Sequence, residues 1–126
     1  MMLTDLKSVT RKLKALSDPT RMKLLAMLSD RPLCVCELTQ ALGFAQPTVS
    51  RHLQQLEDAG FVVRNREGTW IIYSLEPRDE LSERLLSIVM AHVLSDSQCR
   101  SLIESLKGID RFSLSGDGRC GKGRRR

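Results

Sequence analysis

Two cysteines with a single residue between them, Cys34 and Cys36, are the pair in this 126-residue chain whose spacing most directly implies chemistry. In a strand, residues i and i+2 project to the same side, whereas in a regular helix they stand about 200° apart. A Cys-x-Cys pair can therefore grip one ion only where the chain is extended or distorted. Leu33-Cys34-Val35 reads as a short extended piece, followed by a helix over about 37–42 that Gly43 closes, so the pair straddles a strand-to-helix junction. Cys36 then occupies the position where Ser, Thr or Asp would normally cap that helix. A thiol at a helix N-terminus is expected to have a lowered pKa and more thiolate. Soft thiolates select soft ions. The competing use of two such cysteines is as small buried hydrophobes.

A second constellation begins at position 46. If Val49, Leu53 and Leu56 form the buried face of a helix over about 46–58, then Gln46, Thr48, Ser50 and Arg51 point outward near its N-terminus. Gln and Arg can read base edges in bidentate fashion, Thr and Ser can hold phosphate or base edges, and the positive end of the helix dipole assists. Arg64 and Arg66 are expected near the tip of a hairpin, within reach of phosphate or the minor groove. His52, alone on its helix, reads as a packing or phosphate contact and not as a metal ligand.

The elements that must position these residues follow from periodicity and breakers. Leu6, Val9, Leu13 and Leu16 recur at helical spacing among Lys7, Arg11, Lys12 and Lys14, which predicts an amphipathic helix over about 4–16. Asp18 and Pro19 suit the N-cap and first position of a second helix, about 19–29, which Asp30-Arg31-Pro32 ends. The helices at 37–42 and 46–58 are joined around Gly43-Phe44-Ala45, and Gly60 stops the second of them. Runs 61–66 and 69–74 flank Glu67-Gly68 as a β-hairpin. Beyond Pro77, Leu81, Leu85, Ile88, Val89 and Val93 trace a fifth helix, and Cys99, Leu102, Ile103 and Leu106 share one face of a shorter one. The fold class is mainly α with a β-hairpin wing, a winged helix-turn-helix. Residues 1–107 are expected to form the DNA-binding and dimerisation domain, and 108–126 a flexible basic tail rich in Gly and Arg.

Charge qualifies the nucleic-acid reading. The chain carries +5, from 20 Lys and Arg against 15 Asp and Glu, but five of those cations and one acid fall in 116–126. The preceding part is therefore at +1, and any interface must be argued cation by cation. The chain shows no signal-like segment and no membrane-length apolar run, which sets the expectation of a cytoplasmic protein with reduced thiols and no membrane partner.

The segments LSDPTRMKLLAML at 16–28, PTVSRHLQQLEDAGFV at 47–62 and GTWIIYSL at 68–75 closely resemble the ArsR/SmtB family of metal-responsive repressors, over about residues 4–95. The resemblance implies a homodimer with the first and fifth helices at an α-helical interface. It further implies binding to an inverted-repeat, double-stranded operator, and release on binding an inducer. Leu33-Cys34-Val35-Cys36-Glu37-Leu38 resembles the Cys-Val-Cys metal box of the arsenic and cadmium branches. The sequence departs from them at Thr39, where the arsenic branch often has a third Cys, and lacks the N-terminal Cys residues of the cadmium sites. A third thiolate would come from Cys99 or Cys120; Cys99 sits on an apolar stripe, Cys120 in the Gly-rich tail. The fifth helix has His92 alone, with Glu80 and Glu83 turns away, which disfavours the shared zinc site of other members.

The reading is a repressor that As(III) or Sb(III) releases by ligating Cys34 and Cys36, with Cd(II) or Pb(II) next. Ligation would distort the start of the third helix and shift the recognition helix it supports. Two rivals stand beside it: a winged-helix repressor whose thiols sense redox state or electrophiles, and, more remotely, a small thiol enzyme. No Cys-x-x-Cys or phosphate-binding loop supports the enzyme.

Overall fold

The computed structural model describes residues 5–112. Helices α1 (Leu6–Leu16) and α2 (Pro19–Asp30) precede a short strand β1 (Leu33–Cys34) and the pair α3 (Val35–Leu42) and α4 (Gln46–Ala59). Strands β2 (Val62–Glu67) and β3 (Trp70–Leu75) form the hairpin. Helices α5 (Glu80–Val93) and α6 (Ser97–Ser105) and a 3-10 turn, Leu106–Gly108, complete it. This is the winged helix-turn-helix read from the sequence.

Aspartates start four of these helices. Asp5, Asp18, Asp79 and Asp96 each accept the N–H three residues on, at the caps of α1, α2, α5 and α6, satisfying an amide that the first turn leaves without a helical partner. Gly43 and Gly60 end α3 and α4 in the left-handed conformation, at φ of 77° and 93°. At Gly60 the left-handed φ strains any side chain, and an added Cβ would also stand tightly, at 3.2 Å, against Lys12 Nζ and, at 3.3 Å, against Ser82 Oγ, so both would have to shift.

The sheet is antiparallel in the order β1-β3-β2. Glu67 pairs with Trp70, so the hairpin turns through Gly68-Thr69, one residue later than expected. Leu33 pairs with Tyr73 and Cys34 with Ile72. Alternation then gives the sheet two different faces. Leu33 and Tyr73 belong to the main core with Leu24, Leu38, Leu53 and Phe61, whereas Cys34 and Ile72 lie in a separate cluster with Cys36 and Trp70.

Val49, Leu53 and Leu56 are fully buried, as expected of the inner face of α4. Burying one such side chain is worth roughly 1.5–3 kcal/mol. Helix α1 departs from its simple amphipathic reading. Lys12 is buried, donating from Nζ to Ala59 O at 2.7 Å and pairing with Asp79 at 3.3 Å. The amine thus satisfies a C-terminal carbonyl of α4 and ties it to the N-cap of α5. Leu6 and Leu13 are instead 81% and 51% exposed, and Ile88 on α5 is 63% exposed. No helix among the described residues is long and apolar enough to cross a membrane.

Candidate functional site

Helix α4 begins after Ala45, which offers no side-chain cap, and Pro47 sits in its first turn. Its N-terminus is therefore open, with the positive end of the dipole uncovered. The expected reading residues divide between two stripes. Gln46 and Ser50, with Gln54, line a cleft of about 160 Å³ between α4 and the wing, shared with Val35, Arg64, Ile71 and Tyr73. Arg51 lies on the outer stripe, exposed, and Thr48 is half-buried beside it.

Two expected DNA contacts are placed differently. Arg64 is not near the hairpin tip: it stands opposite Tyr73 in mid-strand, with Nε 3.6 Å from Glu57 Oε1 on α4. The two-residue turn fixes a register that leaves Arg66 as the cation beside the tip, where its Nη1 is 3.5 Å from Gly68 O. His52 is half-buried, and its Nδ1 lies 3.0 Å from Arg21 Nη1, which also meets the Gln55 amide oxygen. Arg21 in turn donates to Ala15 O at 2.7 Å and Lys14 O at 3.1 Å. His52 thus joins α4 to the end of α1, the packing role, and its ring nitrogen is already engaged.

At the thiol pair, Cys34 is the last extended residue, with φ −87° and ψ 165°, and Cys36 lies in the first turn of α3. The two sulfurs are 2.6 Å apart. The junction therefore turns both to one side, as a shared ligand requires. The cap is a correction: α3 starts at Val35, so Cys34, not Cys36, is the N-cap. The reason is Glu37. Its carboxylate, 2% exposed, accepts the Cys34 N–H at 2.8 Å, which makes Cys34 and Glu37 the two ends of a capping box. Cys34, the thiol that takes the cap in place of Cys36, does not have the low pKa expected of a cap thiol. Burial pushes Cys34 up to about 11, and the Glu37 charge adds to the rise, against the opposing Glu37 N–H.

Sequence reasoning missed Glu37, although Cys34-x-x-Glu37 has capping-box spacing. It also missed what surrounds that carboxylate. Arg31 approaches it at 3.4 Å and Arg111 at 3.7 Å. Arg111 also reaches Glu67 at 3.7 Å and stands 5.7 Å from the centre of the Trp70 ring, on which Phe112 packs edge-on at 4.8 Å. Trp70 belongs to the thiol cluster, so the chain at 111–112 lies against the wing beside the sulfurs.

The structure does not bring Cys99 to the pair. It is buried on α6 and lines an apolar groove with Met22, Ile88 and His92, and burial, reinforced by Asp96, raises its pKa. Cys120 and the rest of the tail beyond 112 lie outside the described residues. Among the described residues no group of three or more His, Cys, Asp and Glu is disposed to hold a metal ion, at α5 or elsewhere.

Comparison with known proteins matches residues 18–63 to the family described as "Bacterial regulatory protein, arsR family". The arsenic resistance transcriptional regulator ArsR1 of Pseudomonas putida is 46% identical over 65 residues, 51% of each chain, so the match spans about half that relative's length. The arsenical resistance operon repressor of Staphylococcus aureus is 30% identical over 106 residues, which cover 82% of this chain and 96% of that one. Among solved structures, the homodimeric winged helix-turn-helix DNA-binding domain of Mb0332 from Mycobacterium bovis superposes with a TM-score of 0.61 at 32% identity. The superposition covers 68% of this chain and 78% of that one.

Proposed function

Because this chain belongs to the arsR family of bacterial regulatory proteins, we propose that it is a homodimeric repressor which binds an inverted-repeat operator and leaves it when As(III) or Sb(III) ligates Cys34 and Cys36. The observation that carries the inducer reading is the placement of both sulfurs on one side of the chain at the start of α3. Two soft donors at one point suit a thiophilic ion. As(III) and Sb(III) stand first because of the arsenic-resistance relatives, with Cd(II) or Pb(II) next. Cys120 is the remaining candidate for a third sulfur.

Gln46, Thr48, Ser50 and Arg51 carry base and phosphate contacts in this reading, with Arg64 and Arg66 from the wing. The exposed Leu6, Leu13 and Ile88 support a dimer, since an apolar stripe on α1 and α5 is covered by a second copy.

The link between the two functions is mechanical. Cys34 holds its proton well above neutral pH, so ligation must displace it from a buried sulfur. Cys34 is also the cap of α3, and Glu37 fixes that cap. Any shift of Cys34 moves the first turn of the helix that packs on α4. A coupling of about 1–3 kcal/mol suffices for a 5- to 150-fold change in operator affinity.

Operator release against a panel of As(III), Sb(III), Cd(II), Pb(II) and Zn(II), read by fluorescence anisotropy under reducing conditions, tests the proposal. Release is expected first with As(III) or Sb(III). Release by peroxide and by none of the metals would instead support the redox-sensing reading of the same pair.

A further inference from the structure

Helix α1 and the outer stripe of α4 enclose an open groove of about 550 Å³ lined by Lys7, Arg11, Lys14, Arg21, Gln55 and Asp58. We propose that this groove is a second phosphate-binding surface for duplex DNA, lying beside the helix-turn-helix and separate from the base-reading residues and the wing. The inference rests on the DNA-binding reading above and extends the interface to an element outside the helix-turn-helix.

Three observations carry it. The first is charge. The groove brings four cations against one carboxylate, in a chain whose net charge before the tail is only +1. The second is availability. Arg21 is committed to the Lys14 and Ala15 carbonyls and to His52. Lys7, Arg11 and Lys14 are all exposed, and no ion pair engages them among the described residues. Exposed Arg84 and Lys107, by contrast, are each paired with a neighbouring Glu. The third is continuity. Thr48, Arg51, Gln55 and Asp58 follow one another at spacings of three and four along α4, so they form a single stripe. The stripe therefore runs without a break from Thr48 and Arg51 at the start of α4 to Gln55 and Asp58 in the groove. Phosphate oxygens of a polyanionic backbone are what unpaired Lys and Arg on an open surface bind, and they bind them without reading sequence.

The groove also explains why Arg21 is built in so firmly. Its hydrogen bonds to the last carbonyls of α1 and to His52 of α4 hold the two walls at a fixed spacing.

The test uses the full chain and a random-sequence duplex of about 30 base pairs, so no knowledge of the operator is needed. Affinity is measured by anisotropy across a salt series. The Lys7→Ala, Arg11→Ala, Lys14→Ala triple variant is compared with a Lys23→Ala, Arg100→Ala, Lys107→Ala variant of equal charge change away from the groove. Circular dichroism melts and sedimentation establish that both fold and assemble like the parent. The groove variant is expected to flatten the slope of log K against log salt by about one per cation removed, and the control to leave it near the parent value. Asp58→Asn should strengthen binding. If the triple variant misfolds, single Lys7→Gln and Lys14→Gln variants carry the same expectation at about one unit each. An unchanged slope in the groove variants, or an equal loss in the control, overturns the proposal while leaving the DNA-binding reading intact. Absence of salt-dependent binding by the parent protein overturns both.

Discussion

The Glu37 carboxylate is buried against the backbone of Cys34, accepting its N–H at 2.8 Å, so the residue that caps α3 and the residue that carries a candidate ligand sulfur are the same. Glu37→Ala should cost about 1–3 kcal/mol in urea unfolding, because the Cys34 N–H and the guanidinium groups of Arg31 and Arg111 lose their acceptor. Glu37→Gln keeps an acceptor oxygen and should cost less. An Ala variant as stable as the parent would mean that the box is not holding the helix.

Lys12 and Asp79 give the fold an acid-sensitive joint. Asp79 is held below the ordinary carboxylate pKa, first by the Ser82 N–H and then by Lys12. A depressed pKa contributes stability that is present above the unfolded value, near 3.9, and is lost as pH falls through the folded value. Asp79→Asn retains a capping side chain but not the charge. Its stability should therefore fall less steeply than the parent's below about pH 4. Parallel acid-unfolding curves for the two proteins would contradict this.

Arg51 and Arg66 should separate base reading from phosphate attraction. Arg51→Ala is expected to cost on the order of 1–3 kcal/mol at the operator and to relax sequence preference. Arg66→Ala should weaken operator and random duplex alike and flatten the salt slope by about one. Competition binding with single-base operator variants distinguishes the two patterns.

Ile88, 63% exposed on α5, should be covered in the working protein. Ile88→Asp would place a charge on that face and shift the metal-free protein toward monomer at micromolar concentration, with loss of inverted-repeat binding. Sedimentation velocity reads the shift, and an unaltered dimer would move the interface elsewhere.

Most of the fold was legible because its signals are local. Asp18-Pro19, Gly43 and Gly60 punctuate helices by backbone preference alone, and the apolar spacing of Val49, Leu53 and Leu56 marks the face that α4 buries. What sequence reasoning misplaced depends on partners distant in the chain or on register. Lys12 looks like any polar-face lysine until Ala59 and Asp79 arrive beside it, 47 and 67 positions away. Arg64 sits mid-strand because the turn falls at Gly68-Thr69 and not one residue earlier. The Cys34 cap and its raised pKa follow from Glu37 and burial, neither of which a two-cysteine spacing encodes. His52 could be read as a packing residue but not assigned its partner, Arg21.

The central claim is that Cys34 and Cys36 convert a thiophilic ligand into operator release, and the double Cys34→Ser, Cys36→Ser variant addresses it most directly. Serine is a good N-cap at position 34 and a poor soft-ion ligand, so the variant should bind operator with nearly the parent affinity. Anisotropy of labelled operator, titrated with As(III) under reducing conditions, should show release from the parent protein and none from the double variant. Release of the double variant at the same As(III) concentration as the parent would contradict the account.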